Sequence, residues 1–296
     1  MKSAKKKIDV SIISFNAMGL FNFDSLHGML ISRNILTRLA KTAEILQQKD
    51  ADIITFQEVH TYSALKLLKK KLSNYPHVIY KKFIYGPRGG LVTFSKFPIE
   101  ETDYINFQER GSFRDKSFYA RIIKNGVLSC KIENFPLYIM NAYMTANADG
   151  DYSINNRFSK YLDAQLKQIS EVIKSLSAKK NEIIIAGDFN MAKDSPFYEQ
   201  FIQLSQTKDI FTKFNFPTQH EGYLPKHLER KRIDYIFLFS KYAQTTIDSA
   251  IHLFTTKVTV PNGKSLYLSD HIGLRTDLTF HFPEGDIKEN PNLAFT

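Results

Sequence analysis

The sequence predicts a layered α/β sandwich. Three observations carry that prediction. Short apolar segments of strand length recur along the chain, stretches with helical spacing of apolar residues separate them, and no long linker or low-complexity block intervenes. Two stretches share one plan: an amphipathic helix feeds a short apolar strand that ends in a carboxylate, Glu58 after DIITFQ and Asp188 after EIIIAG. The shared plan suggests two sheets related by a rough internal symmetry, although no residue-level repeat accompanies it.

Taken in order, Ile8, Val10, Ile12 and Ile13 begin a strand, and Ile35, Leu36, Leu39, Ala40, Ala43 and Leu46 recur at helical spacing. Asp50-Ala51-Asp52 leads into the strand IITF. A second helix carries Leu65, Leu67, Leu68 and Leu72, with lysines at its exposed positions. Strands follow around VIYKKF and LVTFSKF, separated by the turn sequence GPRGG. VLSCKI and LYIMNAYM read as strands, and a long helix then places Leu162, Leu166, Ile169, Val172, Ile173 and Leu176 on one face. EIIIAG, IDYIFLF and IGLRTDLTF complete the strands. Residues 1–296 read as one domain with its core at 8–282 and a surface tail at 283–296.

A chain of 296 residues is ample to bury a core, and 43% hydrophobic with 24% charged residues excludes a disordered, collagen-like or coiled-coil protein. Cys130 is the single cysteine, so an internal disulfide and a cysteine-built zinc site are excluded. No apolar run reaches the ~18–20 residues of a membrane span. Lys and Arg number 40 against 30 Asp and Glu, and the resulting +10 favours a polyanionic partner, either nucleic acid or an anionic membrane surface. Lys5, Lys6 and Lys7 read as a solvated terminus rather than a leader, because Asp9, Ser11 and Ser14 interrupt any apolar core behind them. A cytoplasmic, monomeric chain is expected.

Polar groups close the apolar strands: Asn16 after VSIISF, Glu58 after DIITFQ, Asp188 and Asn190 in GDFN, and Asp270 with His271 in SDH. In a layered sandwich such strand ends can converge at one mouth. Glu58, Asp270 and the Asn16 amide form a hard, oxygen-rich set suited to Mg²⁺ or Mn²⁺. His271 offers an imidazole able to take a proton near neutral pH. A metal, a base and amide donors are what phosphoester hydrolysis needs.

SFNAMG, TFQEVH, GGLVTFSKFPI, GDFN, RIDYIF and SDHIGL, in that order, resemble the motifs of the endonuclease/exonuclease/phosphatase superfamily from about Ile8 to Phe280. NAYMT, DYSINNR, GDFNM, RIDYIF and LSDH are most similar to neutral sphingomyelinases. The resemblance implies a four-layer α/β/β/α sandwich of two packed mixed sheets with outer helices, a divalent metal and phosphodiester hydrolysis. It implies a metal-binding Glu58 with Asn16 beside it, Asp188 and Asn190 orienting the attacking water, His271 as base and Asp270 completing the metal site. Asp234, in RIDY, takes a structural or supporting place. Some branches hydrogen-bond an Asp to the catalytic His, and Asp248 lies where such a residue could fall.

One departure stands out. Most members carry a His on the central strand, and this chain has none between His77 and His220. In the sphingomyelinase register Ala146 replaces it. In the exonuclease III and abasic-endonuclease register Tyr143 occupies the position, with Asn147 nearby, and a Tyr there donates its hydroxyl to the phosphate. Arg110, Arg114, Lys116 and Arg121, interleaved with Phe113, Phe118 and Tyr119, are candidates to edge a substrate groove, and Arg157 begins the long helix near a family Arg. His60 and His252 read as ordinary histidines. The leading functional reading is a Mg²⁺-dependent phosphodiesterase acting on a phospholipid head group. Its alternatives are an abasic-site nuclease, an inositol or small-molecule phosphatase, and a catalytically dead binding module.

Overall fold

The computed structural model describes residues 6–19, 35–114, 117–147, 149–221, 223–224, 227–260 and 263–283. The tail from 284 onward and Lys116 lie outside these residues.

The chain runs through β1 (Lys6–Asn16), α1 (Ile35–Lys49), β2 (Ile53–Gln57), α2 (Tyr62–Lys71), β3 (His77–Ile79), β4 (Val92–Ser95) and β5 (Ile99–Asn106). It continues with α3 (Phe118–Ile123), β6 (Gly126–Ile132), β7 (Leu137–Tyr143), α4 (Ser159–Ser177), β8 (Glu182–Asp188), α5 (Pro196–Ser205) and β9 (Lys208–Asp209). β10 (Asp234–Phe239), β11 (Gln244–Leu253), β12 (Val258–Thr259), β13 (Ser265–Leu266) and β14 (Gly273–Phe282) close it. Two six-stranded mixed sheets result, ordered β11-β14-β1-β2-β4-β3 and β5-β6-β7-β8-β10-β9.

The two sheets face each other across a core of Ile8, Val10, Ile12, Leu278 and Phe280 from one and Leu128, Ile139, Ile184 and Ile236 from the other. Leu39, Ala43, Leu46, Leu65 and Leu68 of α1 and α2 cover the outer face of the first sheet. Leu162, Leu166, Ile169 and Ile173 of α4, with Phe197 and Phe201 of α5, cover the second. The four-layer α/β/β/α order follows, because strands buried on both faces need a helix outside and a sheet inside.

The apolar stripe of α4 is the one its sequence spacing predicts. The strand around VIYKKF is shorter than expected, only His77–Ile79, because the chain turns back at residues 82–87.

Parallel pairing of β1 with β2 and of β7 with β8 points four carboxyl ends to one mouth. The register does the rest. Tyr143 lies beside Asp188, Asp188 lies beside Asp234, and Asn16 lies beside Gln57, one residue before Glu58. Close strand approach is needed here: at Gly187, with φ of 149°, an added Cβ would sit 2.0 Å from the Ala142 carbonyl oxygen.

Candidate active site

Glu58 leaves β2 in the left-handed region at φ 62°, which swings its carboxylate out of the strand direction and over the mouth. Asn190 does the same at φ 47°. Such backbone is uncommon for residues other than glycine and costs free energy that local structure must offset. The Asn16 amide donates to Glu58 Oε1 and to Asp188 Oδ2, both at 3.0 Å, and so ties the first sheet to the second. The Tyr143 hydroxyl donates to the same Glu58 oxygen at 2.8 Å. Asp188 Oδ1 accepts the Asn190 backbone N–H at 2.9 Å, and the Asn190 amide donates to the Met144 carbonyl at 3.1 Å.

His271 is buried, and its Nδ1 meets Asp234 Oδ2 at 2.9 Å. Its Nε2 stands 3.9 Å from Asp188 Oδ2 and from Asp270 Oδ1, beyond direct hydrogen-bond distance, so this nitrogen is the one open to the cleft. The Thr218 hydroxyl accepts the backbone N–H groups of Ile233 and Asp234 and steadies the start of β10. The Ser269 hydroxyl donates to the Asn16 carbonyl at 2.7 Å and accepts the His271 N–H.

Burial raises the Glu58 pKa, and the neighbouring Asp270 charge raises it further. Burial likewise drives Asp188 up to about 8. For His271 burial opposes the charged form, but Asp234, Asp270 and Asp188 outweigh it and hold the pKa well above the ordinary imidazole value. Burial and the Glu58 and Asp188 charges keep the Tyr143 hydroxyl protonated. Glu58 and Asp188 are buried carboxylates with no Lys or Arg ion pair among the described residues, a concentration of negative charge that fits a divalent cation. Oxygen donors from Asp188 and Asp234 also approach His271 within 4.8 Å. The Asp234–His271 bond already engages two of those groups. Asn16, expected as a metal ligand, offers no oxygen to the cleft: its Nδ2 faces Glu58 and Asp188, and its Oδ1 accepts the Met18 N–H at 2.9 Å.

The cleft encloses about 240 Å³ and is lined by Glu58, Tyr143, Ala146, Asn147, Tyr152, Asp188, Asn190, Asp270 and His271 among others. Both candidates for the missing central-strand His are therefore in it: Tyr143 brings a hydroxyl, and Ala146 brings no polar side-chain atom.

Three expectations need correction. Asp248 sits at the β11 bulge and accepts from Thr246 and Thr279, opposite β14 residues six or seven positions from His271. At about 3.3 Å per residue that is roughly 20 Å, so the carboxylate on His271 is Asp234 and not Asp248. Arg157 does not line the cleft; it forms a two-pronged ion pair with Asp149, both bonds 2.8 Å, and braces the loop that carries Asn147. The groove-edge expectation fails too: Arg114 is exposed on a loop outside the cleft, and Arg110, Phe113 and Arg121 do not line it.

Sequence reasoning missed Arg38. It is buried on α1 and donates to the carbonyls of Ala17, Met18 and Leu268, fixing the backbone just after Asn16 and just before Asp270. Its place on the apolar stripe of α1, one residue before Leu39, is the signal that could have found it. Gln57 and Asn141 were missed as well. They meet at 2.8 Å between the sheets, with Asn141 also donating to the Phe56 and Val92 carbonyls.

Two facing sheets that deliver carboxylates, an imidazole and amide donors to a shared mouth define the class, a two-sheet α/β sandwich with a metal-ready cleft. The chain belongs to the Endonuclease/Exonuclease/phosphatase family, whose model matches residues 13–271. A sphingomyelinase C of Leptospira interrogans is 27% identical over 230 residues, covering 67% of this chain and 39% of that protein. The chain thus spans about two fifths of the length of the curated relatives it matches. Among solved structures, a Bacteroides thetaiotaomicron endonuclease/exonuclease/phosphatase family protein superposes with a TM-score of 0.67 at 19% identity, covering 94% of this chain and 100% of that one. D. rerio TDP2, complexed with single-strand DNA product, superposes at 0.66 and 19% identity, covering 91% and 98%. At such identities these structures bear on the fold alone.

Proposed function

We propose that this chain is a divalent-metal-dependent phosphodiesterase that releases a phosphorylated head group from a phospholipid, as a sphingomyelinase does. The observation that carries the hydrolytic part is His271, backed by Asp234 on one ring nitrogen and open to the carboxylate cleft on the other. The relatives named sphingomyelinase C and sphingomyelin phosphodiesterase 2 support the lipid part.

In this reading Glu58 and Asp270 would hold a Mg²⁺ or Mn²⁺ ion, which would neutralise non-bridging phosphate oxygens, and the Asn16 amide positions Glu58 for it. With a cation held there, Asp188 and Asp270 would pull less on the His271 proton, leaving Nε2 able to take one from water. Asp234 then stabilises the imidazolium. Asp188 and Asn190 orient the water against the phosphorus. Tyr143, protonated and 2.8 Å from Glu58, is a hydrogen-bond donor rather than a base, and it supports the phosphate or the leaving oxygen.

A second reading, nucleic-acid cleavage, is favoured by that same Tyr143 and by the net charge of +10. The test is a paired turnover assay with Mg²⁺ and with EDTA. One arm holds sphingomyelin in mixed micelles and the other a duplex carrying an abasic site. Phosphocholine release that EDTA abolishes, with the duplex intact, is the expected result. Nicking of the duplex with the lipid untouched moves the chain to the nuclease reading, and no metal-dependent turnover in either arm removes both.

A further inference from the structure

A second surface lies beside the cleft and takes no part in the chemistry described above. Ile84, Phe113 and Tyr85 are 74%, 73% and 62% exposed, the first two more than any other large apolar side chain among the described residues. Ile84 and Tyr85 form the tip of a turn closed by the Lys82–Pro87 bridge, the Phe83 N–H on the Gly86 carbonyl at 3.0 Å and the Arg88 N–H on the Lys81 carbonyl at 2.7 Å. The Tyr62 hydroxyl donates to the Phe83 carbonyl, and the Tyr62 N–H donates to Tyr85. The turn is therefore held open from beneath, and its apolar tip cannot fold inward.

Three arginines stand under these tips. Arg88 lies over the rings of Phe83 at 5.6 Å and Tyr104 at 5.5 Å, and Arg121 lies over Phe113 at 5.2 Å. Arg110 lies close enough to both that, after burial, their charges lower its pKa while Tyr104 raises it; among the described residues none of the three arginines forms an ion pair with a carboxylate. Like charges gathered without a counter-charge cost free energy unless an anion joins them. The surface also borders the chemistry. The Val59 N–H, next to Glu58, donates to the Gly90 carbonyl at 2.9 Å, and Tyr119 of α3 lies within electrostatic reach of Tyr143.

We propose that the Lys81–Arg88 turn and Phe113, with Arg88, Arg110 and Arg121 beneath them, form a docking surface for an anionic lipid membrane. Apolar tips entering the acyl boundary with guanidiniums at the level of the phosphates is the arrangement by which peripheral proteins hold such surfaces. Guanidinium forks also match phosphate geometry. Ile84 favours lipid over nucleic acid, since an aliphatic tip has no face on which a base can stack. The proposal rests on the phospholipid reading, for which docking here would bring Glu58 and His271 to the head groups.

Co-sedimentation with phosphatidylcholine vesicles, with and without phosphatidylserine, tests it without any need for turnover. The wild-type chain is expected to bind the anionic vesicles and to release them in high salt. An Ile84→Ser/Phe113→Ser chain should bind at least about tenfold more weakly, and Arg110→Gln roughly fivefold. Hydrolysis of a short-chain, monomeric sphingomyelin should be unchanged in these variants, which also shows that they fold. Wild-type protein that ignores anionic vesicles, variants that bind them as wild type does, or binding that single-stranded DNA displaces completely would each overturn the proposal. Vesicle binding with the predicted losses, but no hydrolysis of the soluble substrate, would uphold docking and remove the phosphodiesterase reading instead.

Discussion

Asp234 and Asp248 both sit on strands, and both are plausible partners for an imidazole in the sequence. Only Asp234 reaches His271, at 2.9 Å, because the β8–β10 register sets it at the mouth beside Asp188. A carboxylate on Nδ1 fixes the ring's orientation and stabilises its charged form, and general-base catalysis of this kind is worth about 10²–10⁴-fold. Asp234→Asn is therefore expected to lower kcat by about 10²-fold or more, close to the loss in His271→Ala, with little change in KM. Asp248→Asn should leave kcat alone, since among the described residues its carboxylate bonds Thr246 and Thr279, far from His271. Steady-state kinetics on the three variants checks this, and equal kcat in wild type and Asp234→Asn would refute the role.

At the scale of the elements, Asn141 and Gln57 do what apolar side chains do elsewhere between the sheets. Asn141, fully buried on β7, donates to two carbonyls of the opposite sheet and accepts from Gln57. Asn141→Leu would remove the amide from those carbonyls and leave Gln57 Nε2 only its longer 3.3 Å bond to Ser14, at a cost of about 2–4 kcal/mol. Urea titration of the variant should show a lower midpoint at an unchanged slope. A midpoint equal to wild type would mean that water takes the place of the amide.

The elements themselves differ in how visible they are. α4 and β8 are plain in the sequence, since α4 buries Leu162, Leu166, Ile169 and Ile173 at helical spacing and every residue of β8 is buried. β5 and β11 escape notice because they run along sheet edges, where IEETDYIN and QTTIDSAIHL are mostly polar and only half covered. α5 escapes although it is as long as α2, because Phe197, Tyr198 and Phe201 form its buried face and aromatic residues favour strands over helices.

The molecule as a whole should be sensitive to acid through histidines other than His271. Burial lowers the His60 pKa to about 3 from 6.5, and burial with the Arg232 charge lowers that of His252. A histidine whose folded pKa is depressed binds its proton only on unfolding. The stability it contributes is complete above about pH 6.5 and is lost as the pH falls toward the folded value. The thermal midpoint should therefore decline from pH 7 to pH 4, and His60→Phe should flatten that decline in differential scanning calorimetry. An identical pH slope in the variant would show that His60 does not carry it.

The local pattern of this chain was enough for the fold class, the two-sheet plan and the residues that end the apolar strands, because periodicity and strand length are properties of neighbouring residues. Glu58, Asp188, Asn190, Asp270 and His271 could be named that way. Partnership is another matter. Asn16 meets Asp188 across 172 positions, Tyr143 meets Glu58 across 85, and Arg38 grips the Leu268 carbonyl across 230. Such pairs depend on strand register and on how one sheet lies against the other. No local spacing encodes them, so the choice of Asp234 over Asp248, the Arg38 brace and the arginine-backed apolar turn emerge only when the two sheets pack.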